Sequence, residues 1–104
     1  MIKWFIDDER FPPNDGTEWL ILRSSADAIL EMNENGIPDF ISFDHDLGGE
    51  DTSMVFLHEC INRSLDGAIG WPQHFGFTVH SQNPVGARNI SMLLENFLIS
   101  KGVW

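Results

Sequence analysis

Tyrosine is absent from this chain, cysteine occurs once, and only 6 of the 104 residues are lysine or arginine, against 16 aspartates and glutamates. A single thiol, Cys60, rules out an intramolecular disulfide and any multi-cysteine zinc site. The formal net charge of −10 repels a phosphate backbone and argues against extensive binding of duplex nucleic acid. No apolar run approaches the roughly 20 residues needed to cross a bilayer. The stretch Met1–Arg10 carries charge at its third residue, so it does not read as a signal peptide. There is no Walker A loop, no GxGxxG, no GxSxG, no internal repeat and no Pro/Gly-rich linker. The expectation is a soluble protein of a reducing, cytoplasmic compartment, without a membrane partner.

Apolar residues are plentiful: 42% of the chain, with 8 Phe and 4 Trp, enough to fill the core of one domain spanning residues 1–104. Ile2–Ile6 is nearly all apolar and short, which predicts a strand buried on both faces, as in a parallel sheet. Further strands are expected at Trp19–Arg23, Phe40–Phe43 and Phe75–Val79. Ser24 and Asp27 have capping-box spacing and open a helix whose apolar positions are Ala26, Ile29, Leu30 and Met32. A second helix, capped by Thr52 or Ser53, would bury Val55, Phe56, Cys60, Ile61 and Leu65. A third begins at Asn83-Pro84, a good N-cap followed by a residue suited to the first helical position. Its residues Ile90, Leu93, Leu94, Phe97 and Leu98 give the clearest helical period in the chain. Alternating strands and helices predict an α/β fold with a parallel sheet. The connection from Asp7 to Glu18 is the exception, since two prolines in so short a segment leave little room for a helix.

In an open parallel sheet, ligands bind beyond the carboxyl ends of the strands. Three of the four strands end in polar clusters: Asp7-Asp8-Glu9, Asp44-His45-Asp46, and His80-Ser81 with Asn83. If strands one, three and four are neighbours, the three clusters meet. Five carboxylates gathered at one point then need compensation, and a divalent cation is the usual source of it, all-oxygen ligands suiting Mg²⁺ or Mn²⁺. Asp7, Asp8 and Asp44 are the expected metal ligands, with Asp46 in support. His45, between two acids, is placed to bind phosphate, act as an acid or ligate metal, or is simply a loop histidine. His80 follows a buried strand and is the candidate general acid or base. Ser81 and Asn83, with the first amides of the last helix, could hold phosphate oxygens, although turn chemistry and N-capping account for both residues as well. Arg10 and Arg88 flank the first and last clusters and could neutralise a substrate phosphate. His58 and His74 read as structural, and Cys60 as core.

Asp7-Asp8 and Asp44 resemble the acidic pocket of two-component receiver domains, in which paired acids hold Mg²⁺ and a later Asp accepts a phosphoryl group. The likeness is partial, since the lysine of that pocket has no counterpart here. The blocks Asp7–Pro13 (DDERFPP), Ser42–Gly49 (SFDHDLGG) and Val79–Ile90 (VHSQNPVGARNI) more closely resemble the cyclic-phosphate-processing receiver domains, a divergent branch of the receivers. That likeness covers nearly the whole chain. It implies a receiver-like (flavodoxin-like) sheet of about four strands in the order 2-1-3-4, with Val103-Trp104 as a further edge. It also implies a pocket turned toward cyclic phosphates of a nucleotide or an RNA end.

The expected activity is a metal-dependent phosphohydrolase using His80, His45 and Asp44, with an attack by Asp44 itself as a variant. The alternative from another class is a non-catalytic acidic module that binds a protein partner or imitates nucleic acid.

Overall fold

A computed structural model describes residues 1–104. It contains a four-stranded, all-parallel sheet in the order β2-β1-β3-β4, as the resemblance implied. In chain order the elements are β1 (Lys3–Ile6), β2 (Leu20–Leu22), α1 (Ser25–Asn35), β3 (Phe40–Phe43), α2 (Ser53–Leu65), β4 (Gly76–Val79) and α3 (Pro84–Lys101). No helix lies between β1 and β2, in keeping with the two prolines of that segment. None of the helices is long and apolar enough to cross a membrane.

Successive side chains of a strand point to opposite faces, so each strand divides into two sets. Trp4, Ile6, Leu22, Ile41 and Phe43 face one side and join Ala28, Met32, Phe56, Leu57, Cys60, Ile90, Leu94 and Leu98 in one core cluster. These helical residues come from all three helices, so α1, α2 and α3 cover the same face. Phe56 is its centre, with ring centroids 6.0 Å from Trp4 and 6.4 Å from Phe43. Lys3, Phe5, Phe40, Ser42, Gly76 and Thr78 occupy the opposite face in matched rows, since Lys3 pairs with Phe40 and Phe40 with Gly76, while Phe5 pairs with Ser42 and Ser42 with Thr78. No helix packs there. The 7–19 segment shields part of it through Trp19, whose indole meets Phe5 and Phe40 edge-on, each with centroids 6.0 Å away.

The expected caps of α1 and α3 form, whereas Thr52, at the N-cap of α2, makes no side-chain capping bond. Ser24 Oγ accepts from the Asp27 amide, Asn83 Oδ1 accepts from the Gly86 amide, and α3 closes on Gly102 at φ +79. Two helical faces differ from the sequence reading. In α1 the buried side is Ser25, Ala28 and Met32, while Ala26 and Leu30 face outward; Ile29 belongs to both candidate stripes, so the period alone could not choose between them. In α2 the buried side is Ser53, Phe56, Leu57, Cys60 and Ser64, whereas Val55 and Leu65 are exposed. The two serines set this rotation. Ser53 Oγ donates to the Asp44 carbonyl and Ser64 Oγ accepts from Trp71 Nε1, so both are buried with their polar atoms satisfied. Burial pushes the Cys60 thiol up to about 12, consistent with an inert core position.

Val103 and Trp104 do not extend the sheet. After the left-handed Gly102, the Val103 and Trp104 amides donate to the Leu98 carbonyl and the Trp104 ring stacks on Phe77 at 5.5 Å. The indole N–H donates to the Phe75 carbonyl, which holds the chain as a cap beside β4.

Candidate functional site

The rows of the helix-free face continue past the strand ends. Beyond Lys3–Phe40–Gly76 and Phe5–Ser42–Thr78 the next row is Asp7, Asp44 and His80, one residue from each of three neighbouring strands. Its register is held by backbone bonds, Asp44 N–H to the Ile6 carbonyl and His80 N–H to the Phe43 carbonyl. One ligand atom from each of these three side chains lies within 4.8 Å of the others. The three strand-end clusters therefore do meet.

Asp7 is fully buried. Its Oδ1 accepts from the backbone N–H groups of Glu9 and Arg10 at 2.9 and 2.8 Å. Its Oδ2 accepts from Arg10 Nε at 3.0 Å and from His80 Nε2 at 2.9 Å. A carboxylate offers about four lone-pair sites, so Asp7 is fully subscribed. Burial by itself would push its carboxyl up, but the Arg10 and Glu9 amides, the His80 imidazole and the Arg10 charge outweigh that and hold it below the ordinary range. Arg10 is a bridge: Nε pairs with Asp7, and Nη2 lies 3.3 Å from Asp44 Oδ2. Burial opposes its charge, yet the two carboxylates together outweigh that and raise the guanidinium further above its usual value.

Both ring nitrogens of His80 face protein groups. An ionised Asp7 only accepts, so Nε2 carries the proton; Nδ1 sits 2.6 Å from Ser42 Oγ. The ring stacks on Phe5 with centroids 4.4 Å apart and 4° between planes. His80 thus lies across the sheet as a strut between Ser42 and Asp7. His45 is held differently. Its Nδ1 lies 3.1 Å from Asp46 Oδ1, and its ring presses on the first turn of α3 at Gly86, where a Cβ would come within 2.4 Å of the His45 Cγ. Only glycine fits there. Asp46 also accepts from Asn83 Nδ2 at 3.3 Å, and the His45 and Asn83 bonds hold its carboxyl below the ordinary range.

An open cleft of about 440 Å³ lies outside the acid row, lined by Asp8, Glu9, Arg10, Asp44, Asp46, Gly48, Gly49 and Gln82, with no hydrophobic side chain among them. Gly48, at φ +91, brings the loop so near that a Cβ would sit 3.2 Å from Asp8 Oδ2. The loop is anchored from beneath. Buried Leu47 plugs the core, and Asp51 accepts from the Ser25 amide at 2.9 Å and the Ser25 hydroxyl at 2.5 Å, fastening the loop to the start of α1.

Of the expected metal ligands, Asp8, Asp44 and Asp46 present carboxylates to the cleft, whereas Asp7 spends its oxygens behind them. Asp44 Oδ2 is shared with Arg10, and Oδ1 has no partner within the chain. The open donors are all oxygens, which fits a hard cation such as Mg²⁺ or Mn²⁺ better than zinc. Arg10 lines the cleft as expected. Arg88 does not; it is an exposed residue at the fifth position of α3, outside the cleft lining. Ser81 Oγ accepts from the Asn83 amide and Asn83 caps α3, so both serve the turn, and neither lines the cleft. Glu9 and Gln82 line it in their stead. Ser42, Phe5, Gly86 and Asp51 escaped the sequence reading because their partners lie far along the chain, as Ser42 and His80 do at 38 residues apart.

A parallel sheet in the order 2-1-3-4 with paired acids after β1 and another acid after β3 is a receiver-like α/β fold. The chain belongs to the cyclic-phosphate processing receiver domains, whose family model matches residues 2–96. No curated protein and no solved structure matches it. The family description ties the chain to cyclic-phosphate processing and to a phosphorylated substrate or partner.

Proposed function

We propose that the chain hydrolyses a cyclic phosphodiester of a nucleotide or RNA end in the acidic cleft, with the aid of Mg²⁺ or Mn²⁺. One observation carries this reading: four carboxylates and a single arginine line the cleft of a cyclic-phosphate processing receiver domain. A phosphate anion is repelled by such a lining unless a cation intervenes. Asp8 and Asp46 would hold that cation, which when bound would polarise a phosphoryl oxygen and make water a better nucleophile. Arg10, with Nη1 free of partners in the chain, meets a non-bridging oxygen. In the reaction water oxygen bonds to phosphorus, one ring P–O bond breaks, and the water proton ends on the departing oxygen, leaving a monoester. Asp44, through its free oxygen, is the group placed to take that proton.

His80 fits a different part from the acid or base expected of it. With both nitrogens engaged, it positions Asp7, which positions Arg10. His80→Phe, which keeps a ring on Phe5, should lower kcat while the pH–rate profile keeps its shape. Loss of one limb of the profile would instead mark His80 as the proton carrier.

The direct test is turnover of a nucleoside 2′,3′-cyclic phosphate with Mg²⁺ or Mn²⁺. Asp44→Asn should reduce it by about 10²- to 10⁴-fold, the usual contribution of a proton-transfer group. One feature favours the second reading, a non-catalytic binding module: Arg10 pairs with both Asp7 and Asp44 and offsets part of their charge from within the chain. Titration of Mg²⁺ or Mn²⁺ separates the two. A folded-state cation site adds about 2.7 kcal/mol at one hundred times Kd, read as a rise in Tm. No rise and no turnover would leave the binding module as the function.

A further inference from the structure

The cleft is one of two hollows joined by the same hydrogen-bonded side chains. The other is a groove of about 450 Å³ on the helix-free face, lined by Met1, Lys3, Pro13, Asp15, Trp19, Phe40, Ser42 and Thr78. Trp19 and Phe40 form its aromatic wall. Ser42 and Thr78 give it hydroxyls, and Lys3 stands at its rim, paired with Asp15 at 3.2 Å and lying 4.0 Å from the centre of the Trp19 ring. Gly76 keeps the Phe40 ring down on the sheet, since a Cβ there would come 3.3 Å from Phe40 Cδ2. From Ser42 the chain of contacts runs through His80, Asp7 and Arg10 to Asp44, from the groove into the cleft. Along β3, Ser42 lies two residues below Asp44, about 7 Å at the rise of a strand.

We infer that this groove on the helix-free sheet face is the subsite for the nucleobase of the cyclic phosphate whose phosphoryl group enters the cleft. The inference rests on the cleft reading for the phosphate half of the ligand and on the groove alone for the base half. Aromatic side chains on an open sheet face are a recurrent platform for bases, because every base has a π-face to stack. Hydroxyls beside them can meet the donors and acceptors of a base edge. The occupant is a single nucleoside rather than a longer strand, because a chain of net charge −10 gains nothing from extra phosphates.

Backbone amide shifts of the full chain, titrated with adenosine or uridine, test the base half without any phosphate. Lys3, Phe5, Phe40, Ser42 and Thr78 should move while Gly48 and Gly49 stay still, and the 2′,3′-cyclic monophosphate with Mg²⁺ should then move both sets. Trp19→Ala should weaken nucleoside binding by about 5- to 150-fold, the range for loss of one base–aromatic stack. Should Trp19→Ala fail to fold, Thr78→Leu fills the groove at an exposed position and should weaken binding by at least about 5-fold. Nucleosides that leave the groove amides unmoved, or bind Thr78→Leu as well as the parent, would overturn the subsite. A ribose cyclic phosphate without a base that binds as tightly as the nucleotide would do the same. A trinucleotide that binds more tightly than the mononucleotide would overturn the single-nucleoside form. Groove shifts without any turnover would sink the hydrolase reading and leave the subsite standing.

Discussion

On one face of the sheet Trp4, Ile6, Ile41 and Phe43 are at most 1% exposed beneath three helices. On the other, the same strands present Lys3, Phe5, Phe40, Ser42 and Thr78 to a groove and a single tryptophan. The first face is apolar and closed. The second mixes aromatics with hydroxyls and runs directly into Asp7, Asp44 and His80. The cause is local: the β1–β2 connection carries two prolines where a crossover helix would cover this face. The contrast teaches that the helix-covered face supplies the large apolar core, while the other buries polar groups such as Asp7 and Ser42 where each finds a hydrogen-bond partner.

The sharpest way to break that contrast is to empty the closed face. Phe56→Ala removes a ring that is 0% exposed and touches both Trp4 and Phe43, and should cost about 3–5 kcal/mol, read from the urea midpoint. A loss below about 1 kcal/mol would show that the core is not centred there.

Gly86→Ala probes the seam between α3 and the site. The new methyl must displace the His45 ring, at an expected cost of about 1–3 kcal/mol, and should release Asp46 from His45. A scan of Tm shows the cost. Recovery in Gly86→Ala with His45→Ala would assign it to that contact, whereas an unrelieved double variant would place it elsewhere.

Asp7 gives the open face a contribution to stability with a pH signature. Its folded-state carboxyl titrates below its ordinary value of 3.8, so its stabilisation is complete above that value and drains away as the pH falls below it toward the folded-state pKa. Acid titration followed by circular dichroism should therefore show the parent losing its advantage over Asp7→Asn below about pH 4. Parallel curves for the two proteins would mean the Asp7 bonds contribute nothing net.

The smallest effect belongs to Thr78. Thr78→Ala, at an exposed position of the groove, should shift stability by no more than about 0.5 kcal/mol while still reporting on nucleoside binding. A larger loss would mean the open face carries more of the fold than its exposure suggests.

Much of this arrangement was legible in the residues. Short apolar runs ending in acids marked β1 and β3 and placed the site at the carboxyl ends, and Ser24, Asn83 and Pro84 marked two helix starts, because strands and caps depend on neighbours a few positions away. The rotation of α2 was less legible, since buried Ser53 and Ser64 read as polar until the fold brings them to the Asp44 carbonyl and the Trp71 indole, and in α1 Ile29 fits either stripe.

By itself, then, the sequence determined which elements form and to which family the pattern belongs, both from local period and short motifs. That the acid-bearing ends meet depended on a strand order that the family resemblance implied and the parallel pairing of β1, β3 and β4 established. Tertiary structure alone decided how the acids are used. Asp7 and Asp8 are adjacent and chemically identical, yet Asp7 is buried with four hydrogen bonds while Asp8 lines the cleft, because successive residues at a strand end point in different directions. The place of His80 was decided in the same way, by Ser42 and Asp7, partners 38 and 73 residues distant that only the parallel register brings within hydrogen-bonding reach.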